Sequence, residues 1–189
     1  MLLAVLELVA NFTRFVDSFL DGRMPLKDTV ELTDLRNFCQ YRLVSLPSPR
    51  YLTHDGHPTP DVQYDVCRLA SLGYSLLVIF PLPPIMGLFE RLARLLRTEV
   101  NNMSDILPSF DHDRMLLHLW VLMVASVISI GLPEQECFFD HLSELMARMH
   151  LSTWHEVSAI LQLFLWQPST NNKDGMDILK GIAGREKAA

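Results

Sequence analysis

Cysteine is scarce in this chain and badly placed for chemistry. Its three residues, Cys39, Cys67 and Cys137, stand far apart with no C-x-x-C pair. That spacing gives zinc no chelating pair, and an odd count cannot close completely into disulfides. A reducing, intracellular setting fits such usage. Basic charge is also short: 16 Lys and Arg face 22 Asp and Glu, for a formal net charge of −6. Duplex affinity comes largely from cations neutralising phosphates, so direct nucleic-acid binding is not expected. The eight glycines form neither a P-loop nor a G-x-G-x-x-G turn, which removes the legible phosphate cradles. G-x-S-x-G is missing, and with it the strained elbow that presents an acyl-transfer serine. No segment alternates with a strand's period, and no internal repeat is found. The apolar start, Met1 to Leu6, has no basic residue before it and is interrupted by Glu7, so it does not read as a secretory signal.

What the chain does have is apolar residues at helical spacing. Hydrophobic residues make up 49% of 189, enough for one substantial core. Residues 1–20 place Leu6, Val9, Phe12 or Thr13, Val16 and Leu20 at steps of three and four, with Asp21-Gly22 as the stop. A second helix from Thr29 carries Leu32, Leu35, Phe38 or Cys39, and Leu43 on one side. It should end before Pro47, because proline disfavours helical backbone in the residue ahead of it. Residues 47–60, holding Pro47, Pro49, Pro58, Pro60 and Gly56, read as a loop. A third helix is expected over 61–80, stopped by Pro81, Pro83 and Pro84. A fourth, over 85–100, should bury Leu88, Leu92, Leu95 and Leu96 before a break at Asn101-Asn102.

The last third is the most apolar. A helix over 111–130 ends at Gly131, and Pro133 falls in the first turn of the next, an asymmetry that marks a short link to an antiparallel neighbour. That neighbour, over 133–150, shows Phe138, Leu142, Leu145 and Met149 on one face, with Glu144 and Arg148 as an exposed i, i+4 pair. Thr153 and Glu156 are spaced as a capping box, opening a final apolar helix that carries Trp154 and Trp166 and reaches Pro168. From Ser169 the chain reads as loop with one turn near Met176 to Ile182, and 183–189 as a disordered tail. The pattern predicts an all-α fold, a multi-helix bundle of about seven antiparallel-packed helices in a single domain over 1–182.

Candidates for chemistry are weighed against that core. The 18 residues Met115–Leu132 approach the length of a membrane span. His118, Ser126 and Ser129 interrupt them, so they read as the bundle's central helix. A membrane-associated protein, spanning with 115–132 and also 69–89, is the alternative. Asp111, His112, Asp113, His141, His150 and His155 are the candidates for a His and carboxylate metalloenzyme. Zinc on one helix needs ligands at i, i+4, whereas His150 and His155 are five apart and His112 and His118 six. The reading is therefore non-enzymatic, with no metal or cofactor. Arg91, Arg94 and Arg97 form a candidate partner-facing basic ridge opposite the leucines of the fourth helix, diluted by Glu90 and Glu99. Trp120, Trp154 and Trp166 are candidate core anchors, and a pocket for any small effector is expected near Trp120 and Trp154.

Several segments carry a likeness. Leu116 to Met123, Phe138-Phe139-Asp140-His141-Leu142, Thr153-Trp154-His155-Glu156-Val157 and Leu163-Phe164-Leu165-Trp166 resemble the C-terminal region of fungal-specific zinc-cluster transcription factors. Cys67 to Tyr74 and the arginine-bearing helix at 85–100 resemble that family's preceding helices, so the likeness spans roughly 60–182. It implies a nuclear regulatory domain acting through protein partners, either a transcription regulator or a second copy of itself. The six-cysteine cluster is not present, and Gln167-Pro168 stands where an acidic linker is expected. The resemblance therefore implies a stand-alone or truncated regulatory module that does not itself contact DNA.

Overall fold

The computed structural model describes residues 2–23, 29–48, 53–54, 57–58, 62–82, 87–103 and 107–186. Among them are eight α-helices: α1 (Leu2–Leu20), α2 (Thr29–Val44), α3 (Val62–Tyr74), α4 (Leu88–Met103), α5 (His112–Ile128), α6 (Gln135–Arg148), α7 (Trp154–Leu161) and α8 (Pro168–Glu186). One antiparallel pair of two-residue strands, β1 (Thr53–His54) and β2 (His57–Pro58), is the extended structure among them. Apart from that pair and residues 47–48, the loop expected over 47–60 lies outside the described residues.

Helix α5 is the axis of the core. Asp111 caps it by accepting from the Arg114 N–H at 2.9 Å, and every residue from His118 to Ile128 is buried. Gly131, at φ +78°, turns the chain in the left-handed region that a Cβ disfavours. Helix α6 then returns antiparallel, since Arg148 at its end donates to the Leu107 carbonyl ahead of α5 at 2.9 Å. Pro133 precedes α6 and stands outside its first turn. Among the described residues no helix is long and apolar enough to cross a membrane. The apolarity of α5 is accounted for by burial on all sides.

Three segments depart from the periodicity reading. In α4 the buried residues are Phe89, Leu92, Ala93, Leu96, Val100 and Met103, while Leu88 and Leu95 are exposed. The helix runs through Asn101-Asn102 because buried Met103 anchors its last turn. Helix α7 ends at Leu161, well before Pro168, as tight turns from Leu163 to Ile160 and Phe164 to Leu161 take over. Most of the segment expected as loop and disordered tail is helix α8, whose buried face is Asn171, Gly175, Ile178 and Ile182, at helical spacing. Two of those four are not hydrophobic, so an apolar stripe was not there to be read. Pro168 suits the first helical position, and the Gln167 carbonyl accepts from Thr170 and Asn171. Residues 187–189 lie outside the described set.

Candidate functional site

The tryptophans act as anchors. Trp120 is buried, donates its Nε1 proton to the Leu165 carbonyl at 2.7 Å, and stacks on Phe164 with ring centroids 6.1 Å apart. Trp154 and Trp166 meet at 6.2 Å, and Trp166 donates to Asn172 Oδ1 at 2.9 Å. A Cβ on Gly175 would come within 2.4 Å of the Trp154 ring, so this close approach of α8 requires glycine. Thr153 and Glu156 form the capping box, and the N–H groups of Ser152 and Thr153 hold the Glu156 carboxyl below its ordinary pKa. The structure thus joins Trp154 to Trp166 and ties Trp120 to the same link. Neither the cleft beside Arg36, nor the void beside His118, nor the cleft beside Leu77 and Phe89 is lined by Trp120 or Trp154.

The other sequence candidates remain dispersed. Arg91, Arg94 and Arg97 are exposed on α4, but Arg94 reaches Glu90 at 3.6 Å and Arg97 turns toward Cys137 on α6. Burial raises the Cys137 thiol pKa, with Arg97 opposing the rise. His141 Nε2 and Cys137 Sγ both reach Asn101 Oδ1, at 3.1 and 3.6 Å. His150, at φ +56°, closes the C-terminus of α6 as Leu151 donates back to the Met146 carbonyl. His112 and His155 are exposed. Among the described residues no three His, Cys, Asp or Glu side chains gather as a metal site. His118 is buried with Nδ1 unpartnered, edge-on to Phe110 at 5.8 Å. Desolvation, helped by His141, pushes its pKa down to about 4.

Helix α2 combines an exposed apolar face with the wall of a cleft. Cys39 and Leu43 are its fully buried residues, Cys39 approaching the Leu8 carbonyl of α1. Of the two residues the sequence left open, Cys39 therefore faces the core and Phe38 faces out. Phe38, Tyr41 and Val44 are 45%, 64% and 57% exposed, and they share one side of the helix at steps of three. Between α1, α2 and the residues after α3 lies a cleft of about 290 Å³. Its far wall is a π-helical turn, Ser75–Ile79, where the Phe80 N–H reaches back five residues to the Ser75 carbonyl at 2.8 Å. The sequence reading passed over Arg36, which lines this cleft with a buried, unpartnered Nε. Its signal was positional: Arg36 is i+4 from Leu32 and i−3 from Cys39, on the core-facing stripe. A more open apolar cleft of about 490 Å³ lies between Leu77, Phe89 and Leu132, and a void of about 10 Å³ adjoins His118.

No protein-family model matches this chain, and no match was found among curated proteins or solved structures.

Proposed function

We propose that this chain is a non-enzymatic helical interaction domain of the nucleus, regulating transcription by binding a protein partner without contacting DNA itself. The observation that carries the reading is the exposed stripe of Phe38, Tyr41 and Val44 on α2. Large apolar side chains grouped on one exposed helix face mark protein contact sites more often than singly scattered ones do. The acidic balance, −6, is in keeping with a protein partner and against a phosphate backbone. The transcriptional part of the reading is supported by the residue likeness over 60–182. Arg91, Arg94 and Arg97 contribute less, because Glu90 and Cys137 draw two of them aside.

A tethered reporter tests this. Fused to a heterologous DNA-binding domain in a yeast reporter strain, the chain should enter the nucleus and change reporter output several-fold. The double variant Phe38→Asp, Tyr41→Asp, with unchanged circular dichroism, should return output to baseline. An inert tethered chain, or equal output from both forms, would overturn the reading.

A further inference from the structure

We propose that the cleft between α1, α2 and the π-helical turn binds a small apolar molecule ending in a carboxylate. Its walls are hydrophobic: Phe12 and Val16 from α1, Leu32 from α2, Val78 and Ile79 from the turn. The cleft is many times the roughly 10–15 Å³ that one water needs, and so has room for a small organic molecule. A short fatty acid or a substituted aromatic acid is such a molecule. Single π-turns within helices recur at functional sites, and here one supplies a wall.

The charge of the ligand follows from which polar groups are already satisfied. The Thr13 hydroxyl donates to the Val9 carbonyl at 3.0 Å and accepts from the Tyr74 hydroxyl at 3.3 Å. Gln167 donates to Asp17 Oδ1 at 3.0 Å and accepts from Thr170 at 3.1 Å. That Asp17 oxygen also accepts from Ser169 at 3.1 Å. Arg36 is different. Its Nε is buried with no hydrogen-bond partner, and its cation rests on the Phe80 ring, 4.9 Å from the centroid. A buried donor without an acceptor is costly, and an oxygen placed there relieves the cost. The planar guanidinium fork accommodates a carboxylate through two parallel bonds, while the neighbouring walls take the apolar body.

The proposal stands apart from the partner-binding face, since the cleft draws Leu32, Thr33 and Arg36 from α2 and none of Phe38, Tyr41 and Val44. Isothermal titration of the purified full chain with octanoate, octanol and octylamine tests it. Octanoate should bind saturably with one-to-one stoichiometry. Octanol and octylamine should bind at least about tenfold more weakly, the effect of one charge-assisted hydrogen bond. Arg36→Met should erase the preference for octanoate and leave octanol unchanged, whereas Arg36→Lys should retain part of the preference. If Arg36→Met does not fold, the three-ligand comparison on the unmodified chain decides alone. Absence of saturable octanoate binding, equal binding of all three, preference for octylamine, or a folded Arg36→Met that keeps the preference would each overturn the proposal.

Discussion

The two ends of the chain solve opposite problems. Around α5 to α8, the indoles of Trp120 and Trp166 find hydrogen-bond acceptors, and the openings on α5, beside His118 and beside Leu132, are not lined by Trp120 or Trp154. Around α1, α2 and the π-helical turn, a guanidinium nitrogen is buried without a partner, a cleft stays open, and Phe38, Tyr41 and Val44 face outward. The conspicuous aromatic residues therefore mark where the fold is closed. The less conspicuous α2 marks where it has capacity left to bind. On this comparison, disturbing the C-terminal region should cost stability, and disturbing the outer face of α2 should cost binding at nearly constant stability.

The largest effect is expected at Trp120. Trp120→Ala deletes a side chain that is 1% exposed, removes the stacking on Phe164, and leaves the Leu165 carbonyl without its donor. Replacing a buried tryptophan by alanine costs about 3–5 kcal/mol, which a urea titration of both forms reads directly. A loss below about 1 kcal/mol, within the range of ordinary surface changes, would break the comparison at its C-terminal end.

The pH dependence of stability comes next. His118 is a base whose pKa is lowered from 6.5 to about 4 on folding, so the unfolded chain takes up the proton first. Its contribution is complete above pH 6.5, falls as pH drops through the window from 6.5 to about 4, and levels off below that. Roughly 3 kcal/mol is at stake over the whole window, at about 1.4 kcal/mol per unit. Arg114 and Cys67 share the small void beside the ring, and the charge of His141 adds to the depression. His118→Phe, compared with the unmodified protein across the pH range, should flatten this part of the profile. Parallel profiles would show that the ring is protonated without cost.

The helical bundle could be read from spacing where each helix buries apolar residues on one face. Val9 and Phe12 on α1, Phe138, Leu142 and Leu145 on α6, and the Thr153 and Glu156 cap are such cases, whereas Leu20, on the same expected stripe of α1, is 61% exposed and buried Val5 lies outside that stripe. Helix α8 escaped because its inner face is built from Asn171 and Gly175 as well as isoleucines: glycine is there for close approach, and asparagine for its bond to the Gln167 N–H at 3.3 Å. In α4, Leu95 is exposed while the smaller Ala93 is fully buried, so hydrophobicity alone does not decide which side faces inward. The π-helical turn shifts the period by one residue and cannot be seen in a 3.6-residue pattern. The α2 features were hidden for the same reason. An arginine on an inward stripe and a phenylalanine on an outward one contradict binary patterning, and such local contradictions are where binding sites are to be sought.

The smallest effect on stability is expected on the outer face of α2, and it tests the comparison from its other end. Tyr41 is 64% exposed, so Tyr41→Asp removes little buried area and should stay within about 0.5 kcal/mol. Phe38→Asp also removes the contact with the Arg42 guanidinium, 5.7 Å from the ring centroid, worth about 0.5–1 kcal/mol at an exposed site. The new carboxylate stands at i, i+4 from Arg42 and returns about 0.2–0.5 kcal/mol of that. The net cost should therefore be well under that of Trp120→Ala in the same urea titration. A loss rivalling Trp120→Ala would mean that this face packs against part of the fold itself, and the partner would then have to be sought on another surface.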